Sequence, residues 1–179
     1  MNKEYQHTIK SSITVSGVGL HTGTQVGMTF HPAPANHGYK FRRIDIEGQP
    51  VIEADADLVT DTGRGTTITK NGASVSTIEH TLAALVGLGI DNVMIDLNGP
   101  ETPIMDGSSK EFIRALSEVG MEQQDAERDN IIINENITFK DPLRKTEISV
   151  KPADDYQVPG MFDFDSKVLG KQHATLDHI

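Results

Sequence analysis

Glu79 and His80 stand side by side in STIEHTLAALVGLGIDN, residues 76–92, at the front of a run that is otherwise apolar and helix-periodic. Adjacent residues on a helix point about 100° apart, so the two do not pair with each other, but both can converge on a ligand held at the helix start. The first turn, with its free N–H groups and positive dipole end, also stabilises a carboxylate on its own account. Each residue therefore has a plain structural reading, Glu79 as a helix-start carboxylate and His80 as a partly buried, satisfied histidine. A second candidate lies in ETPIMDGSSKEF, residues 101–112, where Asp106 precedes Gly107 and Ser108. It reads as a turn or capping carboxylate, or as a carboxylate that orients a histidine or a water held by a metal. His21 in GVGLHTG and the Gly-Arg-Gly of VTDTGRGTTIT sit in glycine-bounded loops, which read as hairpin turns or as loops contacting a substrate. Neither loop matches a dinucleotide fingerprint or a P-loop.

The elements that must position these residues follow from periodicity. Residues 7–15 and 24–31 alternate β-branched positions around SGVGLHTG, which predicts a hairpin. PAPAN at 32–36 ends the second strand, YKFRRIDI at 39–46 resumes one, and 51–75 alternates short strands with Asp, Gly and Asn turns. From Ser76 the period changes. Ile78, Leu82, Leu85, Val86 and Ile90 recur at helical spacing, with Ser76 or Thr77 as N-cap and Gly87 and Gly89 as the stop. VMIDL at 93–97 reads as a strand. SSKEFIRALSEVG at 108–120 reads as a second amphipathic helix, opened by a Ser108/Glu111 capping box and closed by Gly120.

MEQQDAERDN at 121–130 is polar and reads as a linker, followed by the strand-like runs IIINENITF, TEISVKP and YQVPGMFDF and a tail holding His173 and His178. The fold class expected is α+β: a two-layer sandwich of a mostly antiparallel sheet packed against two helices over residues 1–127, then the opening strands of an incomplete second domain of similar type over 128–179.

Composition removes several alternatives. A net charge of −10 argues against a nucleic-acid partner, since phosphates demand the opposite sign. With no cysteine there are no disulfides or thiolate metal sites, so a tightly held metal would rest on histidine and carboxylate. The polar start MNKEYQHTIK has no secretory h-region, and LAALVGLGI at 82–90 is far short of the roughly 20 residues of a membrane span, so the chain reads as soluble and cytoplasmic, with no stable membrane insertion.

GVGLHTG, HPAPANHG followed by YKFRRID, STIEHTLAALVGLGIDN and ETPIMDGS, in this order, closely resemble the N-terminal half of the UDP-3-O-acyl-N-acetylglucosamine deacetylases, zinc enzymes of lipid A synthesis in Gram-negative bacteria. The resemblance implies a two-domain hydrolase that removes the 2-acetamido group of UDP-3-O-acyl-N-acetylglucosamine, with Zn2+ or Fe2+ at a site between the domains. It implies that Glu79 is the general base, His80 a metal ligand and Asp106 a supporting residue, with His21, Thr62, Gly63 and Arg64 near the substrate. It further implies that the remaining metal ligands, a histidine and an aspartate of an HxxxD motif, lie beyond residue 179, together with the general-acid histidine and an oxyanion-stabilising threonine. His173 and His178 do not fit those places, so the chain is expected to be inactive by itself. In some lineages such a deacetylase is fused to a hydroxyacyl-carrier-protein dehydratase, of which no segment is visible here. The competing expectation is a stand-alone binding or scaffold module that keeps the fold without catalysis.

Overall fold

A computed structural model describes residues 4–154 and 156–176, and the chain divides into two compact units, one through Arg128 and one from Asp129. The first unit is built on a five-stranded sheet of β2 (Ile13–Val18), β3 (Gln25–Pro32), β9 (Val93–Leu97), β4 (Tyr39–Arg43) and β5 (Val51–Glu53), in that spatial order. All neighbours are antiparallel except β4 and β9. A three-stranded sheet of β6 (Val59–Asp61), β7 (Thr67–Lys70) and β8 (Ala73–Val75) adjoins it in sequence. The two helices are α1 (Glu79–Gly87) and α2 (Lys110–Val119). This is the α+β, mostly antiparallel architecture the sequence predicts.

The layers meet where alternation and helical period agree. Met28 and Phe30 of β3, Phe41 of β4, Ile52 of β5 and Ile95 and Leu97 of β9 point to one side of the sheet and are fully buried. Leu85 of α1 and Phe112 and Leu116 of α2 are buried in the same cluster. Each such side chain stabilises the fold by about 1.5–3 kcal/mol through apolar surface removed from water. The opposite face of the sheet is polar. There Arg42 donates to both Asp96 oxygens at 2.7 Å, and His31 bridges Asp96 and Ser12.

Several local expectations are corrected. Residues 7–15 are not one strand: β1 (Tyr5–Ile9) and β2 are separated at Lys10–Ser12 and belong to different sheets. The partner of β1 is β10 (Met121–Glu127), the segment whose polarity suggested a linker. Its polar side chains are employed: Gln124 donates to the Ala33 carbonyl and accepts from Asn92, which also donates to Gln6. The strand from Tyr39 stops at Arg43, and residues 131–136 lie outside any strand.

In the second unit β11 (Ile137–Asp141) pairs with β12 (Thr146–Val150). β13 (Val158–Asp163) pairs with β14 (Lys171–Leu176), a strand in what read as a tail, which puts His173 opposite Met161. His178 lies outside the described residues. No helix among the described residues is long and apolar enough to cross a membrane.

Candidate active site

The backbone entering α1 is unusual. Thr77 has φ +59°, a conformation that β-branched residues rarely adopt and that costs on the order of 1–3 kcal/mol. It is buried to 2% exposure and held from both ends: its hydroxyl donates to Glu101 at 3.0 Å, and its carbonyl accepts the Thr102 hydroxyl at 2.6 Å. Neither Ser76 nor Thr77 caps the helix. Ile78 occupies the cap position without a side-chain bond, and Glu79 and His80 are the first two helical residues.

Glu79 is half-buried, and its Oε2 accepts the Thr66 N–H at 3.0 Å, which ties α1 to the loop after β6. A Cβ on Gly65 would come within 3.2 Å of Glu79 Oε1, so the second glycine of Gly-Arg-Gly leaves room for the carboxylate. The His80 imidazole makes no hydrogen bond among the described residues. The His80 carbonyl accepts the Ser109 hydroxyl at 2.9 Å and so draws the start of α2 against the first turn of α1.

Asp106 stands in the turn before α2 and is exposed. Its Oδ1 accepts the Ser108 hydroxyl at 2.8 Å and the Ser108 N–H at 3.0 Å, and these two bonds hold the carboxyl below the usual aspartate range. The Ser108 hydroxyl donates to Asp106 and accepts the Lys110 N–H at 3.2 Å, and no capping box forms: Ser109 takes the cap position without a side-chain bond.

A cleft of about 440 Å3 opens beside these elements. Asp61, Gly63, Arg64, Gly65 and Thr67 line one side, and His21, Ser76 and Thr77 complete the lining. His21 reaches across it. Its Nε2 lies 3.0 Å from the Arg64 carbonyl and, since a carbonyl only accepts, carries the hydrogen. The structure thus gathers His21, Gly63 and Arg64 at one cleft. Thr62, Glu79, His80 and Asp106 are not among the lining residues, Glu79 standing behind the loop of Gly65 and Thr66. Among the described residues no group of three or more His, Asp or Glu side chains is placed to hold a metal ion. Ser12, His31 and Asp96 have the residue types of a nucleophile triad, but Arg42 claims both Asp96 oxygens, so that line is read as surface structure.

Sequence reasoning overlooked Glu101. It is 1% exposed and accepts the N–H groups of His21 and Thr22 and the hydroxyls of Thr22 and Thr77. The one local signal is an acidic residue flanked by Pro100 and Pro103 shortly after an apolar strand, which periodicity does not register.

The fold is a mostly antiparallel α+β sandwich that brings an acid–histidine pair to a helix start. The chain belongs to the LpxC family, UDP-3-O-acyl N-acetylglycosamine deacetylase, whose family model matches residues 6–179. It is 49% identical over 174 residues to the bifunctional enzyme LpxC/FabZ of Bacteroides thetaiotaomicron, covering 97% of this chain and 38% of that protein. It is 44% identical over 174 residues to the bifunctional LpxC/FabZ of Porphyromonas gingivalis, covering 97% of this chain and 38% of that one. With the UDP-3-O-acyl-N-acetylglucosamine deacetylase of Pseudoalteromonas atlantica it shares 44% identity over 175 residues, 96% of this chain and 57% of the relative. The chain therefore spans between about two-fifths and three-fifths of the length of these relatives.

Proposed function

We propose that this chain is the part of a UDP-3-O-acyl-N-acetylglucosamine deacetylase that carries the general base and one metal ligand, acting in the cytoplasm in lipid A biosynthesis. The reaction is hydrolysis of the 2-acetamido group: water adds to the amide carbonyl, the C–N bond breaks, and acetate and a free amine result. The observation that carries the reading is the placement of Glu79, in a chain whose relatives are named as deacetylases. Thr66 holds Oε2, while Oε1 has no hydrogen bond among the described residues and Gly65 keeps its surroundings open. A carboxylate fixed in this way can accept the proton of the attacking water.

His80, with an imidazole unpartnered among the described residues, suits a metal ligand, with Zn2+ or Fe2+ as the ion. A bound ion supplies Lewis acidity toward the amide carbonyl. Catalytic zinc uses about three protein ligands, and this reading takes the others from residues outside this chain, as the resemblance implies. It expects the 179 residues alone to be inactive. Asp106 is a supporting residue of the active site, its carboxylate held by Ser108. His21, Thr62, Gly63 and Arg64 contact the substrate, Arg64 offering a cation to an anionic UDP-sugar. The bifunctional names of two relatives support a second enzyme, a hydroxyacyl-carrier-protein dehydratase, fused in the parent protein.

The test is acetate release from UDP-3-O-acyl-N-acetylglucosamine, by this chain and by a form continued with the remainder of a relative. The continued form turns over and the chain alone does not. Glu79→Ala in the continued form lowers kcat by about 10²–10⁴-fold. Undiminished turnover in that variant removes Glu79 from the mechanism.

A further inference from the structure

Glu101 is almost fully buried, and the proposed reaction gives it no task. Its Oε1 accepts the His21 N–H and the Thr77 hydroxyl, both at 3.0 Å, and its Oε2 accepts the Thr22 N–H and the Thr22 hydroxyl, both at 2.8 Å. Burial pushes its carboxyl up in pKa, but the N–H and hydroxyl donors more than reverse this and hold it below the usual glutamate range, so it stays ionised. The loop is shaped around it: a Cβ on Gly19 would collide with Thr22 Oγ1 and Glu101 Oε2.

These bonds belong to a closed circuit. From Glu101 it runs to His21, from the His21 ring to the Arg64 carbonyl, along the loop to Thr66, from the Thr66 N–H to Glu79, and back through Thr77. We propose that Glu101 is a positioning residue that locks the His21 loop and the entry to α1 into one piece, and so fixes His21 and Glu79 relative to each other. An amide cannot substitute. Whichever way a glutamine is turned, its nitrogen faces a peptide N–H and neither can accept. The importance of this role for turnover rests on the deacetylase reading, but the geometry does not.

Two-dimensional NMR of the full chain separates the two, with Glu101→Gln and Gly19→Ala compared to wild type. In both variants the amide protons of His21 and Thr22 exchange about tenfold faster or more, as expected for loss of a charge-assisted bond. The His21 ring and Thr66 amide resonances move with them while β9 is unchanged. A His21 ring and Thr66 amide that stay in place when the Thr22 bond is lost reduce Glu101 to a local loop staple and overturn the proposal. If Glu101→Gln does not fold, Gly19→Ala carries the same comparison with the carboxylate still present.

In the continued form, Glu101→Gln lowers kcat on the order of a hundredfold with little change in KM, the signature of misplaced groups and not of lost binding. Full turnover in Glu101→Gln, beside loss in Glu79→Ala, overturns the positioning role and leaves the deacetylase reading intact. The NMR shifts without deacetylation by any form of the protein keep the positioning role and remove that reading.

Discussion

Phe112 and Phe139 are both aromatic residues in elements with one apolar face, yet Phe112 in α2 has no exposed surface and Phe139 in β11 is 62% exposed. Phe112 belongs to a helix layer with a sheet to pack against, so alternation along the strands and the 3.6 period along the helices reach a common core. In the unit after Arg128, alternation also produces strands in register. Ile137 faces Val150 and Phe139 faces Ile148, but this row remains open, with exposures from 42 to 62%. Alternation is sufficient to pair two strands locally. Stability needs a second layer, and isolated hairpins are marginal in water. The residues proposed for chemistry, Glu79 and His80, and the positioning residue Glu101 all lie in the unit with the closed core, where a geometry can be held.

The sharpest way to break this contrast is substitution on both sides of it. Phe112→Ala lowers unfolding free energy by about 3–5 kcal/mol, whereas Phe139→Ala changes it by less than about 0.5 kcal/mol. Urea denaturation followed by circular dichroism measures both, and equal effects would erase the distinction.

Amide exchange tests the same contrast with no substitution. Residues of β9 exchange only on global opening, and those of β11 to β14 exchange near the free-chain rate. The open edges and the Phe139–Ile148 face also favour association, so the sedimentation coefficient rises with concentration and Phe139→Lys suppresses the rise. Protected exchange across β11 to β14 in a monomer would contradict this.

A smaller effect is expected at the entry to α1. Thr77→Val keeps the shape but takes one donor from the buried Glu101 carboxylate, and costs about 1–3 kcal/mol. The pH dependence has the same origin. The folded-state pKa of Glu101 lies below its ordinary value of 4.5, so its contribution is fully present above that pH and is lost as pH falls through the folded-state value. Acid unfolding of wild type is therefore steeper below pH 4.5 than that of Glu101→Gln. Parallel curves would show that the carboxylate is not linked to folding.

What was legible in the sequence follows the same division. The segments α1, β9 and α2 could be read because apolar periodicity and stops at Gly89 and Gly120 are local signals. β10 could not, because polar bonds through Gln124 and Asn92 hold it in place of apolar alternation. The expected capping box is absent because the Ser108 hydroxyl accepts from Lys110, one residue short of Glu111, and the break at residues 10–12 is a short polar Lys-Ser-Ser step between β-branched residues on both sides. Glu79 and His80 were visible as ionisable groups ahead of an apolar run. Glu101 was not, since its partners His21, Thr22 and Thr77 are brought to it only by the fold.

The division of labour between Glu79 and His80 is tested most directly by metal content. Wild type, His80→Ala and Glu79→Ala are prepared in the form continued with the remainder of a relative, and zinc and iron per protein are measured after dialysis. The account predicts that Glu79→Ala retains the metal of wild type while His80→Ala loses most of it. Full metal in His80→Ala, with Glu79→Ala depleted, would contradict the assignment of base and ligand.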